Sequence, residues 1–206
     1  MWLGWVQDWM WLARVDAWAL EPMHRLGAAH PGWVTGWNVF CTVLGPNAFR
    51  AVVLVVIVVA LLRRNVRIAL FLVISVELSG LVTEIAKLLA DRPRPATAMV
   101  AAHGTSFPSG HALGAMVVIL ALLTVTLPMV GTRWRRWLIA LGVAVVVAIG
   151  VGRVILNVHH PSDVIAGWAL GYAYFVACLL MVPPPYRTQG PINQQAEIPA
   201  VPGNAR

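Results

Sequence analysis

Three short stretches of this 206-residue chain hold side chains able to grip an anion and move protons. In KLLADRPRP, Lys87 is followed after six residues by Arg94 and Pro95. Residues 107–111 read FPSGH, and in RVILNVHHPSD, Arg153 is followed after five residues by His159 and, after three more, by Asp163. Lys87, Arg94 and Arg153 are cations without a matching set of carboxylates; arginine offers a fork suited to phosphate oxygens, lysine a compact point charge. Prolines after Arg92 and Arg94 stiffen the backbone that carries Arg94. Ser109 and Gly110 open a long apolar helix, whose unpaired first N–H groups and dipole favour an anion. Gly110 leaves room for an oxyanion to approach the backbone. The pattern predicts a phosphate cradle.

His111 and His159 add groups that exchange protons near neutral pH. Asp163, four residues after His159, is placed to accept the ring's Nδ1–H and leave Nε2 free to attack. A histidine nucleophile would form a phospho-histidine and divide the displacement into two steps. His111 would protonate the leaving oxygen and then activate water, while the cations stabilise the charge at phosphorus. The carboxylates do not cluster as a metal site would need, and the cradle supplies the charge a metal would bring, so neither metal nor cofactor is expected. A facial metal site at His159, His160 and Asp163 is the lesser alternative. Glu84, one turn before Lys87, is expected to pair with it and position it. Glu77, deeper in the same span, is expected to meet a polar group on a neighbouring helix. His160 reads as structural or lid-lining, and His103 as a solvated loop histidine.

The elements that position these residues follow from composition. The chain is 59% hydrophobic and 11% charged, against roughly 25% charged residues in soluble domains, and its mean hydropathy is +0.76. An all-α integral membrane protein is expected. The net charge of +7 is dispersed between apolar runs, so a nucleic-acid partner is not implied. Segments 68–90, 111–130, 137–157 and 163–182 each reach the length of about 20 apolar residues that a spanning helix needs. A fifth, AVVLVVIVVALL at 51–62, does so if its helix starts near Pro46, a favoured first-turn residue. Arginines 63, 64 and 67 and arginines 133, 135 and 136 put two connections, and the C-terminal tail, in the cytoplasm. Connections 91–110 and 158–162 then share the opposite face, which brings all three reactive stretches together.

Three regions result: a Trp-rich segment 1–45, a membrane core 46–182 and a tail 183–206. In the first, Asp8, Arg14 and Asp16 make a poor span, and Trp2, Trp5 and Trp9 recur at helical spacing. An amphipathic helix in the membrane interface is preferred, a distorted sixth span being the alternative. The tail, rich in Pro, Gln and Asn, is expected to be disordered. Cys41 and Cys178 are too few for a disulfide framework.

The ordered set Lys87-x6-Arg94-Pro95, Pro108-Ser109-Gly110-His111 and Arg153-x5-His159-x3-Asp163 resembles the signature of the type 2 phosphatidic acid phosphatase superfamily, over residues of roughly 46–182. The resemblance implies a metal-independent phosphatase with His159 as nucleophile, Asp163 as its orienting partner and His111 as acid–base. Lys87, Arg94, Ser109, Gly110 and Arg153 would bind phosphate. Gly152 stands where that family has serine, which removes one hydroxyl from the cradle. The expected partner is a lipid phosphate in the bilayer, at the outer face of a bacterial plasma membrane. A polyprenyl diphosphate is preferred, with phosphatidylglycerophosphate or phosphatidic acid as alternatives, or transfer of the phosphoryl group to a lipid or sugar hydroxyl. A non-enzymatic lipid-binding protein is the reading from another class. Oligomeric state is not encoded legibly.

Overall fold

The computed structural model describes residues 4, 7 and 9–185, so the expected tail beyond 185, and Trp2 and Trp5, lie outside the described residues. The described residues form helices and connecting loops. In chain order the helices are α1 (Met10–Ala29), α2 (Pro31–Val43), α3 (Pro46–Leu62), α4 (Val66–Leu72), α5 (Ser79–Ala90), α6 (Gly110–Thr126), α7 (Thr132–Ile155) and α8 (Pro161–Met181). Five runs are long and apolar enough to cross a membrane: Pro31–Leu62, Val66–Ala90, Gly110–Met129, Thr132–Ile155 and Pro161–Met181. The chain is an all-helical, multi-pass membrane protein.

The observed helices depart from the expected spans where polar groups lie. Helix α7 begins at Thr132 and takes Arg133, Arg135 and Arg136 into its first turns, since long basic side chains can reach the interface from inside a helix. Prolines at helix starts mark α2, α3 and α8. The apolar run that holds α3 extends back through α2 to Pro31, interrupted only at Leu44 and Gly45. Between α4 and α5 the helix widens into a π-turn, Val73–Glu77, and Tyr174 of α8 donates to the Ile74 carbonyl.

Helix α6 is the central element. Leu113, Val117, Val118 and Ala121 are buried on it, packed with Val53 and Ile57 of α3, Phe71 and Leu72 of α4, and Phe175 of α8. Helices α6 and α8 approach closely because α8 is bare where they meet: a Cβ on Gly167 would lie 2.6 Å from the Ser109 carbonyl, and one on Gly171 2.8 Å from that of Leu113. The loop 91–109 lies over the end of α7, where the Met99 amide donates to the Leu156 carbonyl.

The segment 10–45 is more deeply involved than an interfacial anchor requires. Trp11 and Trp18 are exposed, as anchoring rings would be, but Leu12, Asp16 and Leu20 of α1 are buried. Asn157, at φ 52° in the left-handed region, turns the chain from α7 towards His159. Its buried amide group donates to the Leu20 carbonyl of α1 and to Thr97 of the loop. Asn157→Ala loses both bonds and keeps the strained backbone, so a loss of about 2 kcal/mol is expected. Asn157→Gly should recover part of it; thermal unfolding in detergent is the check.

Candidate active site

The site forms where the ends of α5 and α7 meet the starts of α6 and α8. His159 is 2% exposed. Its Nδ1 lies 2.7 Å from the Ser106 carbonyl, which can only accept, so Nδ1 carries the proton. Its Nε2 lies 3.2 Å from Nη1 of Arg94 and accepts from it. The lone pair of Nε2 therefore faces the cationic side. This differs from the sequence expectation that Asp163 takes the Nδ1 proton. The Asp163 carboxylate is 3.7 Å away, too far for a hydrogen bond. The spacing of four residues brings the two side chains near each other, but Asp163 Oδ2 is engaged by the His160 amide at 2.8 Å and by the His160 ring at 3.1 Å. Asp163 and His160 thus cap α8 reciprocally, which gives His160 the structural role.

Ser106 could not be found from side-chain chemistry, because its backbone does the work. Its amide donates to the Arg92 carbonyl at 2.7 Å and its hydroxyl to the Pro93 carbonyl at 2.9 Å. The loop that carries Arg94 therefore also presents the acceptor for His159. Arg94 is fixed by the same loop: Nε donates to the Gly104 carbonyl, Nη2 to that of His103 and Nη1 to that of Val158, at 3.0, 2.8 and 2.8 Å. His103 is exposed and contributes main chain at this point.

The remaining candidates converge on the same end of the bundle. Lys87 Nζ lies 3.1 Å from Glu84 Oε1, the lysine largely covered and the glutamate exposed. Arg153 is 7% exposed, and its Nε has no hydrogen-bond partner among the described residues, an expensive state that asks for an acceptor. The charges of Arg153, Arg94 and Lys87 all act on half-buried His111. Ser109 caps α6 weakly, its hydroxyl 3.5 Å from the Ala112 amide, and its own N–H is spent on the Asp163 carbonyl at 3.0 Å. The free amides at the mouth of α6 are those of the first turn, beginning at Gly110. A Cβ on Gly110 would stand 3.1 Å from Thr83 of α5, so its bareness also serves packing. Glu77 does not find the expected partner: its buried Oε1 meets no hydrogen-bond donor among the described residues.

Gly152 has a physical reason. A Cβ there would lie 2.6 Å from Cys41 Sγ and 2.9 Å from the Trp37 ring, so α2 occupies the space a serine would need. The buried Cys41 thiol adjoins Arg153 as well.

Burial sets the protonation of His159. It pushes His159 down from 6.5 to about 4, helped by the charges of Arg153 and Arg94 and opposed by Asp163. The imidazole is neutral at physiological pH. Burial likewise draws the Arg94 guanidinium below its usual range, against the pull of Asp163.

Comparison with known proteins fits this arrangement. The sequence matches the PAP2 superfamily over residues 68–187. It is 35% identical over 116 residues to an undecaprenyl-diphosphatase of Sulfolobus acidocaldarius, covering 53% of this chain and 52% of that protein. It is also 35% identical over 99 residues to phosphatidylglycerophosphatase B of Bacillus subtilis, covering 46% and 48%. A lipid A 1-phosphatase of Rhizobium johnstonii is 33% identical over 114 residues, 49% of this chain and 42% of that protein. The chain spans about half the length of the curated relatives it matches. The crystal structure of a transmembrane PAP2 type phosphatidylglycerolphosphate phosphatase from Bacillus subtilis superposes with a TM-score of 0.67 at 20% identity, over 85% of this chain and 94% of that one, which shows the shared fold.

Two measurements check this geometry. Gly152→Ser should destabilise by about 1–3 kcal/mol through overpacking, and Cys41→Ala in the same protein should return part of the loss, as read by thermal midpoint. Buried His159 resists a proton that the unfolded chain accepts, so its contribution to stability is complete above about pH 6.5 and lost as pH falls towards 4. In His159→Asn that part of the acid slope should vanish.

Proposed function

The chain belongs to the PAP2 superfamily, and from that premise we propose that it is a membrane lipid phosphatase working through a phospho-histidine. One observation carries the reading: a neutral, buried imidazole whose Nε2 is held within 3.2 Å of the Arg94 guanidinium, the group suited to binding the phosphoryl oxygens it would attack. Nε2 of His159 bonds to phosphorus as the bond to the leaving oxygen breaks, and His111 gives its proton to that oxygen. His111 then takes a proton from water, the water oxygen bonds to phosphorus, and the P–N bond breaks to restore His159. Arg94, Arg153, Lys87, the Ser109 hydroxyl and the amides at Gly110 hold the equatorial oxygens through the transition state. Through both steps Nδ1–H stays on the Ser106 carbonyl, and the imidazolium that forms is balanced by Asp163 at 3.7 Å.

The substrate keeps its tail in the bilayer and offers its headgroup at the helix ends where the cradle lies. With the arginine-bearing connections in the cytoplasm, that end is extracytoplasmic, on the plasma membrane of a bacterium. A polyprenyl diphosphate is the preferred substrate, a reading supported by the undecaprenyl-diphosphatase among the relatives. Phosphatidylglycerophosphate is the second reading, favoured by the relative that carries that activity in its name. The reaction requires no metal.

The test is phosphate release by purified protein in detergent with a chelator present, offered polyprenyl diphosphate, phosphatidylglycerophosphate and phosphatidic acid. Wild type should release phosphate, fastest from the diphosphate. His159→Ala should abolish release, and His111→Ala should slow it by roughly 10²–10⁴-fold. Release that survives in His159→Ala, or that stops with the chelator, would overturn the mechanism.

A further inference from the structure

Asp163 has a second carboxylate behind it, contributed by α1. Arg92 of the loop lies between the two: Nη1 donates to Asp163 Oδ1 at 2.6 Å, and Nη2 to Asp16 Oδ2 at 2.9 Å. Ser162 completes the cluster. Its hydroxyl donates to Asp16 Oδ2 at 2.7 Å and accepts from Arg92 Nη1 at 2.7 Å, and its amide donates to Asp16 Oδ1 at 3.1 Å. Asp16, Arg92, Ser162 and Asp163 are 2%, 6%, 2% and 0% exposed. Charges so deeply buried are costly unless matched, and an anchoring helix would not need one.

The cluster holds two carboxylates and one guanidinium, and so retains one net negative charge. The contributions of these charges at His159 add, and Arg92 opposes both carboxylates. Were Asp16 neutral, the cluster would carry no net charge, and the field of Asp163 at His159 would be largely cancelled by Arg92. That field matters when His159 becomes cationic on bonding to phosphorus.

We propose that Asp16 is a positioning residue for the reaction: by offsetting the charge of Arg92 and capping the start of α8, it leaves the charge of Asp163 free to stabilise the His159 imidazolium. This rests on the phospho-histidine reading. Asp16 touches no reacting atom, and acts through Arg92 and Asp163. The segment before Pro46 is accordingly part of the catalytic unit.

The experiment compares Asp16→Asn, and the double variant Asp16→Asn/Arg92→Gln, with wild type in full-length protein, measuring kcat, KM and thermal midpoint on the best of the three lipids. Asp16→Asn should lower kcat about 10- to 100-fold, by analogy with losing the carboxylate behind a metal-bound histidine, with KM unchanged. The double variant restores the single negative charge and should recover part of that kcat, although it lacks more hydrogen bonds. A merely structural strut would make the double variant as slow as the single, or slower, and that result overturns the proposal. So does wild-type kcat in Asp16→Asn. If Asp16→Asn does not fold, Asp16→Ser keeps a hydroxyl for the Ser162 amide without the charge, and wild-type kcat there overturns it equally. Failure of wild type to release phosphate would remove the phospho-histidine reading and this inference together; normal wild-type turnover with unaffected variants removes this inference alone.

Discussion

Helices α6 and α8 come closer than side chains usually permit, and the site depends on that approach. Gly167 and Gly171 let the backbone of α6 settle against α8. At the end of this contact the Ser109 amide reaches the Asp163 carbonyl at 3.0 Å. That one bond ties the FPSGH turn to the HHPSD turn, main chain to main chain. His111 and His159, one on each side of this bond in the chain, are thereby held by two closely packed helices. Within lipid this has a further logic, since small residues are what allow helices to associate where burial of apolar surface gives little.

Charge is distributed unevenly about His159. Arg94 stands at Nε2, the charge of Arg153 also acts on the ring, and the Arg153 Nε is unpaired among the described residues. Beyond Nδ1 lie a carbonyl and a carboxylate. The imidazole is thus polarised along its length, proton towards the acceptors and lone pair towards the cations. Burial keeps the ring neutral in that orientation. The tautomer of His159 and the side that its Nε2 faces both follow from one asymmetry, which is more economical than setting each separately.

Much of this was legible in the sequence, and the remainder was hidden for identifiable reasons. Spans could be read because lipid imposes a length and a composition on a crossing helix. Lys87, Arg94, His111, Arg153, His159 and Asp163 could be read as candidates because their side-chain types suit anion binding and proton transfer and their spacing is local. Asp16 could not: on a tryptophan-rich helix it looks like a solvated charge, and its partners Arg92 and Ser162 lie 76 and 146 residues away. Gly152 was visible as a departure, but its cause, Cys41 and Trp37 of a different helix, is a fact of packing. The His159–Asp163 spacing suggested a direct bond, and the acceptor turned out to be a carbonyl.

That carbonyl changes how the site can vary. The feature that sets the tautomer of His159 belongs to the main chain at Ser106, and every amino acid has such a group. Replacing the side chain at 106 keeps that oxygen on the chain and loses only the bond of the buried hydroxyl to the Pro93 carbonyl, so a substitution there tests the loop and not the acceptor itself. Changing the length of the loop would not be forgiven, because the same thirteen residues, 94–106, must present Arg94 at one end and the Ser106 oxygen at the other. Here the count of residues is as much a part of the site as their side chains.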